Sequence, residues 1–484
     1  MQKQGIHKAL LFFVVALCMA FLLPEMSQQG MFMDGTIYAA IARNLSIHQG
    51  SFWQPKFSDT IFPLFYDHPP LAFGLQALFF KVLGDGFYVE KFYGLCCALL
   101  TAVFIVRIWK HLFANHPFSN FYYLPVLLWM ITPKVAWSFN NNMLENTLTL
   151  FTTAATYFLL KSAFVNFSKS LIYIIPASLL ILAAFLSKGF PGLFPMGIYF
   201  LMYLSAPFKL NFKRMIQLTL LLFILFLLAS VIVCWCQPAA IESITLYLKM
   251  QVFNSINGGD RVGSRWMWLY DYLQQLIPMI AFLIIALFFN RPLFFNVLRH
   301  EKLIRGNALL MFAIGLAASL PLMISPKLSA YYLVPCFPFI AMAFAVITAP
   351  ILESGIQKIN TSSKFPKRFM IFNLSVIVMV CLFSIVQFGH KYRDEALQYD
   401  IEKLKTYMPS QKTISIGESM YQDWRLIAYF QRNAQININR EPVTSKFLLL
   451  EKNQSPSNGN YKKLALDLVQ YNLFERIDET PKPE

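Results

Sequence analysis

Long apolar runs separated by short polar breaks recur through the first 390 residues of the chain. A helix that spans a bilayer needs about 20 mostly apolar residues. Eleven segments read this way: 8–24, 92–109, 121–137, 144–160, 171–187, 190–205, 214–236, 272–290, 307–324, 331–350 and 369–388. The breaks at 138–143 and 188–190 are short, so 121–160 and 171–205 read as tight helical hairpins. From residue 391 the pattern changes to short mixed runs. There, 413–416 and 446–450 read as buried strands, 424–432 and 461–476 as helices, and 455–460 as a turn-rich loop. The predicted fold is an α-helical polytopic membrane protein of about eleven spans over 1–390, followed by a small α/β domain over 391–484.

Composition supports this reading. Of 484 residues, 57% are hydrophobic and 14% charged, against about a quarter charged in an ordinary soluble domain. That excludes a conventional soluble enzyme. The net charge of +16 would suit nucleic acid, but its placement follows the bilayer, because cytoplasmic loops carry the excess of Lys and Arg. With the N-terminus inside, the inner segments run from Lys3 and Lys8 through Arg107, Lys110, Lys161 and Arg214 to Lys364, Lys367 and Arg368. Only Glu301 and Glu353 oppose them. Topology thus explains the charge without nucleic acid, and an odd number of spans puts the C-terminal domain outside. The first run reads as an uncleaved anchor, since no small-x-small site precedes Pro24 and Glu25. All seven Cys lie in predicted spans and read as packing residues.

The outer loop 25–91 is too long for a simple connection and is the first functional candidate. Residues 31–47 read as an amphipathic helix lying along the interface, with Ile37, Ala40, Ile41 and Leu45 on one face. Asp34 at its start is either an N-cap or a catalytic base. Further on, Tyr66-Asp67-His68-Pro69-Pro70-Leu71 leads into an apolar run to Leu83 that is too short to cross. The double proline stiffens a backbone that holds Asp67 and His68 as potential ligands or proton-transfer groups. Glu145 opens the fourth span, where an ionisable group is costly and usually faces a cavity or partner. Lys188, Arg261, Arg265 and Lys327 stand at outer mouths of spans, placed either to neutralise a phosphate or to anchor at the interface. The Gly-rich stretch 258–263 lacks the spacing of a nucleotide loop and reads as a mobile loop that closes over substrate.

Five motifs occur in order on the outer face: Asp34-Gly-x-x-Tyr38-x-x-Ile41-Ala42-Arg43-Asn44-Leu45, Asp67-His68-Pro69-Pro70-Leu71, Met143-Leu144-Glu145-Asn146, Ser187-Lys188-Gly189, and Lys327 followed by Tyr331-Tyr332-Leu333-Val334-Pro335-Cys336-Phe337-Pro338. Together, over about 1–350, they resemble the polytopic GT-C glycosyltransferases. The branch is the bacterial one related to protein O-mannosyltransferases and lipid A aminoarabinose transferases. The resemblance implies transfer of a sugar from a polyprenyl-phosphate donor to lipid A, a protein or a surface glycan, outside a bacterial inner membrane. It makes Asp34 the catalytic base, maps Asp67 and Glu145 onto the family's other acidic positions, and gives Lys188, Arg261, Arg265, Lys327 and Tyr331 to the donor phosphate. A divalent metal at Asp67, His68 or Glu145 is a further expectation, although one His among oxygen ligands does not name the ion. The chain has Gly35, Ile37 and His68 where family members often carry Glu, Arg and Lys, which argues against the aminoarabinose substrate. The competing readings are a lipid-linked sugar transporter or flippase, which would place polar groups at the midplane in repeated halves, and a polysaccharide polymerase or ligase.

Overall fold

Residues 2–205, 210–253, 266–324, 329–358, 364–408, 413–440, 445–456 and 460–477 are described by the structure, a computed structural model. Their contacts divide the chain into two compact units. The first holds 1–27, 66–72 and 91–387; the second holds 28–65, 73–90 and 388–484. The second unit thus takes in most of the outer loop together with the tail.

In the first unit, Gln4–Met26, Val89–Leu112, Phe167–Lys188, Phe212–Cys236, Trp266–His300, Lys302–Met323, Ala330–Lys358 and Phe365–Val386 are long and apolar enough to cross a membrane. These match eight of the expected spans, and the structure gives reasons for the other three. Segment 121–137 is broken into the helices Leu124–Met130 and Pro133–Asn140, because Pro133 offers no N–H to continue the first. Segment 190–205 begins as a 3₁₀ stretch, Phe190–Gly197, around Pro191 and Pro195 before the helix Ile198–Leu204. Segment 144–160 lies in one continuous helix, Leu144–Ala163, whose buried face carries Glu145, Asn146 and several Thr. Four of the Thr are satisfied inside the protein: Thr147 bonds Tyr93 at 2.6 Å, and Thr149, Thr152 and Thr156 donate to carbonyls one turn back. The expected break at 290 is a kink at Asn290, after which the helix runs on to His300.

The second unit is built on a five-stranded mixed sheet. Its strands are β1 (Thr413–Ile416), β2 (Asn437–Arg440), β3 (Phe447–Glu451), β4 (Tyr461–Lys463) and β5 (Tyr471–Arg476), in the order β2-β1-β3-β5-β4. Strand β1 is parallel to both neighbours, while β5 is antiparallel to β3 and β4, with Leu448 opposite Phe474. The expected helix over 461–476 is therefore two strands. Side chains alternate across a strand, so Tyr471, Leu473 and the neighbouring positions are sorted to the two faces of the sheet by pairing with β3.

The tail shares its unit with most of the outer loop. The helix Met33–Ser46 is buried on most of its circumference, from Gly35 through Asn44, instead of lying along an interface on one face. Tyr429 accepts a hydrogen bond from the Met31 N–H at 3.0 Å and stands 3.1 Å from its carbonyl; burial pushes its phenol pKa upward. Thr60 donates to the Ile438 carbonyl at 2.7 Å, and Asn437 donates to Asp59 at 2.8 Å.

A charge cluster, buried except at Asp85, ties the same parts together. The guanidinium of Arg432 reaches Glu90 through two bonds of 3.1 and 3.0 Å, Asp85 at 2.7 Å and the Gly86 carbonyl at 3.0 Å. Burial works against the Arg432 charge, but Glu90 and Asp85 outweigh it and hold the pKa above its ordinary value. Arg43 joins through Asp85 at 3.4 Å and donates to the Gln431 carbonyl at 2.7 Å. Burial pushes its pKa down to about 10, against the pull of Asp85. Arg43 and Asn44, both part of the first motif, thus have a structural task; Asn44 also donates to the carbonyls of Lys56 and Phe57.

Candidate functional site: a buried carboxylate and ammonium pair

Two consecutive helices of the first unit position the central pair. Leu144–Ala163 has 20 residues and Phe167–Lys188 has 22, and the link between them is only 164–166. So short a connection forces them antiparallel. The start of the first then meets the end of the second, and Glu145 and Lys188, 43 residues apart in sequence, form an ion pair. Their side chains are 1% and 9% exposed. Glu145 sits in its helix's first turn and Lys188 in the last turn of the other, so each charge also has the sign that the local helix dipole favours.

Aromatic rings surround the ammonium. Lys188 lies 4.5 Å from the ring centre of Tyr332 and 5.8 Å from that of Tyr331, within the range of cation–π attraction. Tyr331 in turn stacks on Trp137 at 5.7 Å, and Lys134 covers the Trp137 ring at 4.2 Å. Below Glu145, Asn146 and Ser138 exchange hydrogen bonds of 2.7 and 3.0 Å. These contacts hold the helix start against the Pro133–Asn140 helix.

Lys188 is followed by Gly189, whose φ of +78° lies in the left-handed region and whose missing Cβ leaves room for the Tyr247 hydroxyl. Gly189→Ala is expected to destabilise the protein by more than about 1 kcal/mol, since a side chain at positive φ costs that much before any clash. Combining it with Tyr247→Ala should recover only the steric share. Thermal unfolding of both variants in detergent checks this, and equal stability of Gly189→Ala and wild type would contradict it.

Among the expected site residues, Glu145, Lys188 and Tyr331 come together. Asp67 and His68 lie in the 66–72 segment of the same unit, and Asp34 belongs to the second unit. Phe32 holds the N-cap position of the Met33–Ser46 helix, and Asp34 stands within its first turn. Arg261, Arg265, Lys327 and the 258–263 loop lie outside the described residues. Sequence reading missed Tyr332 and Trp137 as partners of the site. Tyr332 was within a quoted motif, whereas nothing in the local pattern marks Trp137.

Glu145 faces the Lys188 ammonium, and among the described residues no three His, Cys, Asp or Glu side chains cluster as ligands.

Comparison with known proteins follows this geometry. The family described as dolichyl-phosphate-mannose-protein mannosyltransferase matches residues 67–235, a stretch that begins at Asp67 and contains Glu145 and Lys188. No curated protein matches the chain. The crystal structure of ArnT from Cupriavidus metallidurans bound to undecaprenyl phosphate aligns with a TM-score of 0.64 at 13% identity, covering 98% of this chain and 99% of that one. The apo state of ArnT from the same organism aligns with a TM-score of 0.65 at 14% identity, covering 96% and 97%. The chain is a polytopic, mostly helical protein that shares the fold of ArnT over nearly its whole length and matches the protein mannosyltransferase family over 67–235.

Proposed function

We propose that the chain transfers a sugar from a polyprenyl-phosphate donor to a hydroxyl-bearing acceptor at the outer face of a bacterial inner membrane. The observation that supports this reading most is the buried Lys188–Glu145 pair beside Tyr331 and Tyr332, in a fold shared with a protein crystallised with undecaprenyl phosphate. A cation held among rings and one carboxylate is a phosphate receptor kept in place by its own counter-ion. The N-terminus would be cytoplasmic and the sheet-bearing tail outside, following the distribution of Lys and Arg.

In this proposal the acceptor oxygen attacks the anomeric carbon as Asp34 removes its proton. The bond from that carbon to the phosphate oxygen breaks, and the electron pair leaves with the phosphate, whose charge Lys188 stabilises, assisted by Arg261, Arg265 and Lys327. One displacement inverts the anomeric centre. Asp67 would orient the acceptor, and Glu145 would hold Lys188 for the phosphate. Lipid A, protein hydroxyls and surface glycans all supply such an acceptor.

The test uses purified protein in lipid with a panel of polyprenyl-phosphate sugars, following release of the carrier phosphate by wild type and by Asp34→Asn. Release by wild type, falling at least about a hundredfold in the variant as expected for loss of a general base, supports the reading. Normal turnover by Asp34→Asn removes that residue from the chemistry. Donor that crosses the bilayer equally well with either protein, without release of phosphate, makes the chain a transporter.

A further inference from the structure

A cavity of about 780 Å³ opens inside the first unit, far from the Glu145–Lys188 pair. Its size is within the roughly 300–1,000 Å³ of ligand-binding pockets. The helices Gln2–Met26, Val89–Leu112, Leu124–Met130 and Leu144–Ala163 provide most of its wall. Glu145 and Lys161 share the last of these helices, and at 1.5 Å per residue they are about 24 Å apart along it. The cavity's charged end, marked by Lys161, therefore belongs to the opposite leaflet from the candidate site.

The lining is graded. One part is wholly apolar, with Leu22, Leu95 and Leu99, whereas Arg107, Lys110, His111 and Lys161 line the other and no acidic residue lines any of it. Arg107, Lys110 and Lys161 form no ion pair among the described residues. Lys110 rests 4.6 Å from the Tyr122 ring centre, and Lys161 rests 5.3 and 5.4 Å from those of Tyr157 and Tyr173. Arg107 and Lys161 also share the Tyr157 hydroxyl, and no carboxylate neutralises any of the three charges among the described residues.

Two buried ring nitrogens stand in its wall. The Nε1 of Trp129, a residue 0% exposed, and the Nε2 of His111 are buried without a hydrogen-bond partner among the described residues, and both residues line the cavity.

Dimensions select the occupant. From Leu95 to Arg107 the apolar wall runs about 18 Å along its helix, close to the half-thickness of a hydrocarbon core about 30 Å across. That is the depth of one leaflet, which matches an acyl chain and falls short of a long polyprenyl chain. We propose that this cavity binds an anionic phospholipid, with its phosphate among Arg107, Lys110 and Lys161 and an acyl chain along the apolar wall. Basic pockets between spans on the cytoplasmic side suit such headgroups, at about 1 kcal/mol per Lys or Arg. The inference is independent of the proposed transfer reaction.

The test is native mass spectrometry of delipidated full-length protein titrated with phosphatidylglycerol, phosphatidylcholine or undecaprenyl phosphate. Wild type is expected to bind one phosphatidylglycerol at least about tenfold more tightly than phosphatidylcholine. The triple variant Arg107→Gln/Lys110→Gln/Lys161→Gln should lose the preference, and Ala102→Trp, which fills the cavity and leaves every charge, should lose the bound lipid. Equal binding of the two phospholipids, or a triple variant that keeps its preference, would reduce the cluster to ordinary interfacial anchoring and overturn the proposal. Tighter binding of undecaprenyl phosphate than of phosphatidylglycerol would overturn it in favour of a second carrier site. Should a variant fail to fold, phosphatidylglycerol with a photoreactive acyl chain decides on wild type. Crosslinks within 11–23 and 95–106 support the site, and crosslinks spread over the outer surface of the spans reject it.

Discussion

Lys188→Met loses carrier-phosphate release and lowers unfolding stability by about 3–5 kcal/mol, the usual result of removing one partner from a buried ion pair. The size of the effect comes from what is left behind. Glu145 has a side-chain exposure of 1%, so its charge keeps the cost of leaving water after the ammonium that compensated it is gone. The double variant Glu145→Leu/Lys188→Met separates stability from chemistry, because replacing both members of a buried pair by apolar residues of similar size is often neutral or stabilising. It should recover most of the lost stability while transfer stays absent. Thermal unfolding in detergent and phosphate release from the lipid donor, measured on the same preparations, read the two quantities. A single variant as stable as wild type would mean that the pair is solvated, and turnover by the double variant would take both residues out of the reaction.

Arg432→Met should cost a similar amount, about 3–5 kcal/mol, but confined to the second unit. Its guanidinium bonds both oxygens of Glu90 and one of Asp85, and Glu90 is 2% exposed. Arg432→Lys should recover only part of the loss, since a point charge cannot reproduce a planar fork. Arg432→Met/Glu90→Leu should recover more by removing the stranded carboxylate. Hydrogen exchange locates the change: protection should fall in 33–46 and 413–476 and persist in the spans. Unaltered exchange in those two segments would show that the cluster does not hold the outer loop to the tail.

The two pairs also show why some of the site could be read from the chain and some could not. Glu145 and Lys188 stand out because each is an ionisable residue at the end of an apolar run, where its presence needs a reason. Their meeting follows from the 164–166 link, which makes neighbouring helices antiparallel. Arg432 lies 342 residues from Glu90, and both occur in ordinary polar surroundings, so nothing local marks either as buried. Tyr331 was marked by its motif, whereas Trp137 was one aromatic among many until the Tyr331 ring stacked on it.

Hydrophobic periodicity alone was enough to establish a polytopic membrane protein with a small mixed tail, because a long apolar helix buries all its backbone polar groups within itself and needs no partner to be recognised. The breaks within 121–137 and 190–205 depended on proline, and the sequence contains those prolines, but apolar content concealed their effect. Only the tertiary structure decided that 461–476 forms strands, that 28–65 and 73–90 pack with the tail, and that the Met33–Ser46 helix is enclosed. The physical reason is common to all three. A strand completes its hydrogen bonds on another strand, and a short amphipathic helix completes its burial on other elements, so their state is set by residues far away in the chain.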